Sequence, residues 1–524
     1  VKSPTPKNTI LAALLLFAFL LTGCKSGLWG SYSPYLTPSA VPPMTDTLSP
    51  LTATATALSF ETQAAGSDPE PLLRPTTSPT PNTTPNPTVL YTAQSGDSLE
   101  VVAIHFGVGP EEIVTSLANP EVGFIPPGTP LVIPNRLADV PLSPADKLLP
   151  DSELVYSPSA VDFDIAAYLT SANGFLSTYR EYLAVDGWLP GSGVVRRIAL
   201  ESSINPRLLL AYIQYKTGWV TGAPLPGVDA TYPLGLDDLR YRGLYQQLRL
   251  LVQDLDAGYY GWRAGTLTEL TFPNGETLRI NPALNAGTVA LQYHFSRQYN
   301  YEEWLEVLDP DTGFIATYEN LFGNPWERAA AVEPLFPPLL IQPDLTLPFE
   351  VGYLWSMTGG PHPAWEQESA LAALDFAPAM DKPGCGESNA WVVAVAPGLI
   401  VRSGGGYVIL DLDGDGFEQT GWVILYMHIA TKDRVPVGKW VDAGEHIGHP
   451  SCEGGLATGT HVHIARKYNG EWIGAGGPVP FVLSGWTAHE GDAPYYGTLT
   501  KGDQIIISSK VGTRQSQIIR QPDE

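Results

Sequence analysis

The string Thr460-His461-Val462-His463 constrains the fold of this chain more than any other feature, because two imidazoles one residue apart share a site only on extended backbone. On a strand successive side chains alternate faces, so His461 and His463 point the same way into one small volume. The earlier string Gly359-Gly360-Pro361-His362, followed by Asp375, supplies a third imidazole and a carboxylate. The chain has nine histidines, and four of them, His362, His428, His461 and His463, fall in Gly-rich or β-branched settings, the pattern of a site assembled from strand ends. Catalytic zinc takes three N/O protein ligands and keeps a fourth position for water, whose pKa it lowers toward about 7. Two imidazoles and a carboxylate meet that need. No His-Glu-x-x-His occurs, so the helix-borne zinc arrangement with its glutamate base is excluded.

Four strings carry a family resemblance: Thr358-Gly359-Gly360-Pro361-His362, Leu374-Asp375-Phe376, Tyr426-Met427-His428 and Gly459-Thr460-His461-Val462-His463. Residues 347–509 resemble the lysostaphin-like zinc endopeptidases, in particular their β-lytic branch, which cut peptide crosslinks of bacterial cell walls. The resemblance implies a mainly antiparallel β domain in which His362, Asp375 and His463 bind Zn2+ while His428 and His461 do the proton and charge work. The chemistry agrees, since the oxyanion formed at a peptide carbonyl needs cationic or hydrogen-bond-donating neighbours, and imidazole exchanges protons near neutral pH. The strings do not assign base and acid between these two imidazoles.

Cys385 and Cys452 flank the two halves of this set, and in an exported chain they are expected as a disulfide. The acidic string Asp411-Leu412-Asp413-Gly414-Asp415-Gly416-Phe417 matches the start of a calcium loop, but Trp422 stands where the bidentate glutamate belongs. The apolar runs on either side, 407–410 and 422–426, read instead as a hairpin with an acidic turn, calcium being the alternative. His446 and His449 read as structural or supporting groups near the site.

The N-terminus carries Lys2 and Lys7, the apolar run 10–21, and then Leu21-Thr22-Gly23-Cys24. Twelve apolar residues suit a secretory signal and not a spanning helix, which needs about 20. The string resembles the bacterial lipobox, which implies a lipoprotein signal peptide at 1–23 and lipidation of Cys24, holding the chain to a membrane. Residues 24–88 are a Pro/Thr-rich linker, too poor in apolar periodicity to offset ordering entropy. Residues 89–135 resemble a LysM module through 91–99 and 125–134. That resemblance implies a small βααβ fold binding N-acetylglucosamine-containing glycan, with helices at 101–106 and 110–117 and an atypical middle at 118–123.

Residues 152–342 read as mainly helical. Segments 194–201 and 208–215 are amphipathic or apolar helices, Asn205-Pro206 a cap and first turn, and Asn274-Gly275 a hairpin turn within 266–280. Helices plus one hairpin resemble lysozyme-like domains, and two alignments compete there. One makes Glu201 a glycosidase general acid; the other puts Lys216 where a catalytic glutamate belongs. A lone helical glutamate is ordinarily a solvated surface residue, so a non-catalytic wall-binding role is the preferred reading.

The chain of 524 residues is therefore read as multidomain, with 510–524 as a tail. Its formal charge of −25, without any basic block, excludes nucleic acid as a partner. The expected partners are peptidoglycan, through both peptide and glycan, and a membrane through the lipid. The competing function is a non-catalytic wall-binding lipoprotein that regulates other hydrolases. Oligomeric state and the particular bond cut are not legible.

Overall fold

A computed structural model of the chain describes residues 87–118, 123–365, 367–380 and 384–522. The readings on the signal, Cys24 and most of the linker lie outside these residues, as does much of the 118–123 segment.

Strand β1 (Thr88–Thr92), helix α1 (Leu99–Phe106) and strand β2 (Pro130–Pro134) form the first module, the two strands pairing antiparallel. Ser98 caps α1 by accepting from the Val101 N–H, and Gly107 ends it in the left-handed region at φ 67°. The second helix expected at 110–117 is reduced to a 3-10 turn, Pro110–Glu112, because Val114 pairs with Val132 and extends the chain. A small core of Tyr91, Leu99, Val102, Phe106, Ile113, Leu131 and Ile133 closes the module.

This module is fastened to the helical region and does not stand apart from it. The His105 ring stacks on Trp262 at 3.5 Å and 11°, and Phe124 stacks on Phe336 at 5.0 Å and 4°. Gln94 donates to the Ala283 and Leu284 carbonyls at 3.2 and 3.1 Å.

The helical region is built on α2 (Gly191–Ser202), α3 (Pro206–Thr217), α4 (Leu244–Arg263) and α5 (Ala286–Ser296). Asn205 caps α3 by accepting from the Arg207 N–H at 3.0 Å, Pro206 opens the first turn, and Gly218 stops the helix at φ 73°. The expected hairpin is present as Glu269–Thr271 against Thr277–Arg279, with Gly275 at φ 86° in the turn.

The C-terminal half is an antiparallel sheet. Its strands are β3 (Leu354–His362), β4 (Ala373–Pro378), β5 (Gly398–Gly404), β6 (Tyr407–Asp411), β7 (Trp422–Met427), β8 (Trp440–Val441), β9 (Val462–Tyr468) and β10 (Gln517–Ile519). They lie in the order β8-β5-β6-β7-β9-β4-β3-β10, and Glu471–Trp472 pairs onto β9. The stretch 510–524 is thus not simply a tail: β10 pairs with the outer strand β3, because Ile518 is buried against the sheet core and Ser516 is buried beside it. The hairpin reading of 407–426 holds, β6 and β7 pairing from Tyr407↔Met427 to Asp411↔Val423.

Alternation along β7 sorts its side chains into two cores. Ile424 and Tyr426 join the core of the sheet itself, whereas Val423, Leu425 and Met427 join the core of the helical region. Each such large side chain contributes about 1.5–3 kcal/mol when fully buried. The same alternation puts Asp375 and His463, whose strand neighbours Leu374, Phe376, Val462 and Ile464 face the sheet core, on the face turned toward the helices. Two buried ionic sets join the regions. Glu418 accepts from Lys467 at 3.0 Å and from Arg402, which also donates to the Leu200 carbonyl; Glu471 pairs with Arg263 at 2.8 Å.

Candidate active site

Strand register brings the four strings together. In β9, His463 lies opposite Met427 on one side and opposite Asp375 on the other. Asp375 in turn lies opposite Gly359 in β3, and a register shift between Gly359 and His362 advances the chain so that His362 reaches the same volume. A Cβ on Gly359 would come within 2.6 Å of the Asp375 carboxylate, so no larger residue fits at that crossing. His461 immediately precedes β9, bridged to Ser451.

Hydrogen bonds to carbonyls set the tautomers, since a carbonyl only accepts and the ring nitrogen facing it must carry the proton. His362 donates from Nδ1 to the Gly360 carbonyl at 2.8 Å, and His463 from Nε2 to the Ala364 carbonyl at 2.9 Å. In neutral rings this leaves lone pairs on His362 Nε2 and His463 Nδ1, which face one another at 2.9 Å. Asp375 Oδ1 lies 3.2 and 3.3 Å from the same two nitrogens, is buried, and accepts no hydrogen bond. Three acceptors therefore converge with no donor among them, and burial makes that arrangement costly unless positive charge enters. These separations match the edges of a tetrahedron around an ion bonded at about 2.0–2.1 Å, so the residues fit zinc. Without metal, a proton takes that role: burial opposes a charged His362, but the Asp375 carboxylate raises the imidazole, and His362 in turn holds Asp375 well below the usual carboxylate range. Burial keeps His463 low.

The other two imidazoles are oriented in the same way. His461 donates from Nδ1 to the Gly459 carbonyl at 2.7 Å, and its Nε2 stands 3.7 Å from Asp375 Oδ1. His428 donates from Nδ1 to the Glu453 carbonyl at 2.8 Å, and its ring lies 4.3 Å from that of His461. Its backbone is left-handed at φ 62°, a strained conformation that turns the ring off the end of β7. Burial, reinforced by His461 and His463, lowers His428 to about 3 and keeps it neutral.

Cys385 and Cys452 form a disulfide, and Thr460 binds the adjoining backbone at Gly384 and Gly386, so the loop presenting His461 is held from two sides. His446 and His449 pack on Trp391 at 4.0 and 3.9 Å and bond to Glu350 and Ala390, supporting a neighbouring wall. Asp411, Asp413 and Asp415 cluster, but Asp411 already accepts from the N–H groups of its own turn, as an acidic turn requires.

Tyr495 was not singled out in the sequence. Its ring stacks on His362 at 4.2 Å and 22°, and it exchanges backbone hydrogen bonds with Gly360 and Pro361. Burial and the Asp375 charge raise its phenol. No spacing signal links it to the histidine strings; only the folding of the 486–507 strands against β3 brings it in.

Glu201 is buried, not solvated as a lone helical glutamate ordinarily is. Arg197 donates to one of its oxygens at 2.9 Å and Tyr245 to the other at 2.7 Å. Lys216 Nζ approaches the Tyr299 hydroxyl at 3.3 Å and the Gln298 side chain at 3.5 Å.

The helical region has a class of its own: residues 147–335 match the family described as LasA, N-terminal domain. The match covers most of the region read as resembling lysozyme-like domains. Over 349 residues the chain is 28% identical to Protease LasA of Pseudomonas aeruginosa, covering 62% of this chain and 74% of the relative. Among solved structures it is similar to the M23 metalloprotease pseudoalterin, at 21% identity over 32% of this chain and 96% of that one, with a TM-score of 0.26. It is also similar to the catalytic domain of lysostaphin from Staphylococcus simulans, at 26% identity over 24% and 89% of the two chains, with a TM-score of 0.17.

Proposed function

We propose that this chain is a zinc endopeptidase that hydrolyses peptide crosslinks of bacterial peptidoglycan. One observation carries the reading: His362 Nε2, His463 Nδ1 and Asp375 Oδ1 meet with their lone pairs turned inward and no proton donor between them. The relation to Protease LasA supports a peptidase. When bound by these three residues, zinc supplies Lewis acidity toward the peptide carbonyl and lowers the pKa of water.

The remaining steps belong to the chain's own groups. His461 Nε2, the ring nitrogen left without a proton by the Nδ1 bond to the Gly459 carbonyl, stands 3.7 Å from Asp375 Oδ1 and is placed to accept a proton. His461 is thus the proton carrier, taking a proton from water and returning it to the leaving amine. His428, oriented by the Glu453 carbonyl and packed against His461, positions that ring.

In this reading Cys24 carries lipid that holds the chain outside the membrane, and the 89–135 module binds glycan. Glu201 is a structural partner of Arg197 and Tyr245 and cleaves no glycan. Among the described residues no helix is long and apolar enough to cross a membrane. The test is digestion of purified wall material by the purified protein with and without chelator, counting new amino groups. Release that chelator abolishes and zinc restores is expected; equal release in both conditions refutes a zinc mechanism.

A further inference from the structure

Lys510 lies outside the four strings, in the segment after the strand Gln504–Ile507, yet that segment is fixed beside the site. The Ser508 N–H donates to the Gly497 carbonyl and its hydroxyl to the Tyr495 carbonyl, each at 3.0 Å, while the Ser509 N–H donates to the Met357 carbonyl of β3 at 3.0 Å. The exposed ammonium of Lys510 stands 5.1 Å from the Tyr495 ring centre and 6.0 Å from that of Tyr496. Tyr495 in turn stacks on His362, so a single aromatic ring separates this cation from an imidazole of the zinc set.

The charge stands out against its surroundings. The chain carries 54 acidic and 29 basic residues, and two other lysines of the sheet domain are neutralised by carboxylates, Lys439 by Glu445 and Lys467 by Glu418. Lys510 has aromatic faces as its partners and no carboxylate among the described residues, although Glu490 and Asp492 precede Tyr495 in the same hairpin. The two ring quadrupoles attract the ammonium without neutralising it. An ammonium held by aromatic faces keeps its charge available for an incoming anion, and complementarity of this kind governs specificity more than raw affinity. In a strongly acidic protein, a substrate bearing carboxylates needs such a local cation to approach the site.

We propose that Lys510 is the carboxylate-recognising residue at the rim of the site, and that the substrate is a crosslinked stem peptide carrying a free carboxylate beside the scissile bond, not a neutral glycine run. The proposal rests on the peptidase reading and names the substrate class of that same site.

The experiment uses two labelled probes, a crosslinked stem-peptide fragment with its free carboxylates and the same fragment with those carboxylates amidated. Each is titrated by fluorescence anisotropy against the wild type, Lys510→Arg and Lys510→Gln, with thermal melts to verify folding. The wild type is expected to bind the carboxylate form about tenfold more tightly, Lys510→Arg to keep that preference, and Lys510→Gln to lose it by weakening the carboxylate form alone. Equal wild-type affinity for the two forms, or equal weakening of both by Lys510→Gln, overturns the assignment. Turnover of the same fragments is a separate readout: a wild type that binds with the preference but cuts neither fragment contradicts hydrolysis and leaves the Lys510 assignment standing.

Discussion

Asp375 and Glu201 are both buried carboxylates within a few ångströms of nitrogen groups, one on the sheet and one in the helical region, and they are satisfied in opposite ways. Glu201 receives a proton donor on each oxygen, from Arg197 and from Tyr245. Asp375 Oδ1 faces two ring nitrogens whose protons are committed elsewhere, to the Gly360 and Ala364 carbonyls. A buried carboxylate surrounded by donors is a fastening; one surrounded by lone pairs is half of a cation site. The tautomers make the distinction, not burial or residue type.

The comparison breaks most readily at Asp375. Asp375→Asn keeps the volume, removes the charge and brings an amide among the lone pairs. Activity on wall material is expected to fall by about a thousandfold or more, together with loss of bound zinc, because removal of one catalytic group costs on that scale. Amino-group release and elemental analysis on the same preparation check this. Replacing both Cys385 and Cys452 with Ser should lower stability by about 2–4 kcal/mol in denaturant titrations, and reduce turnover more than zinc content, since the disulfide holds the loop of His461 and not a ligand. Glu201→Gln should cost about 1–3 kcal/mol by leaving Arg197 and Tyr245 less well matched, with turnover on stem-peptide substrate changed by less than about twofold. A large loss of activity at unchanged stability would make Glu201 catalytic and undo the contrast.

A smaller effect sharpens the same contrast. Burial, aided by Asp151, raises Glu333 from 4.5 to about 7. An acid raised on folding contributes stability in its protonated form, fully present below its unfolded pKa and lost as pH rises through its folded value. Stability should therefore decline between about pH 4.5 and about pH 7, and Glu333→Gln should flatten that decline in thermal melts across the range.

The sequence made the donor set legible because every member sits in a local string whose register is readable: alternation around His463, glycines before His362, and apolar neighbours around Asp375. The cap at Asn205-Pro206 and the turn at Asn274-Gly275 were legible for the same reason, since each is set by residues in contact along the chain. What could not be read depends on long-range packing. The left-handed backbone of His428 follows from the way β7 ends, not from a glycine that would announce it. Tyr495 and Lys510 reach the site only through strands that follow β9, and β10 completes the sheet at an edge where a tail was expected. The burial of Glu201 required Tyr245, which α4 brings in from another part of the helical region. The docking of the first module on Trp262 and Phe336 had no signature in either partner.

The most direct test of the central claim is zinc stoichiometry, measured by elemental analysis on purified wild type, His463→Ala and His461→Ala after loading and removal of excess metal. One zinc per chain is expected in the wild type and in His461→Ala, which is nonetheless inactive, and loss of zinc is expected in His463→Ala. Full zinc occupancy in His463→Ala, or none in the wild type, would contradict that claim.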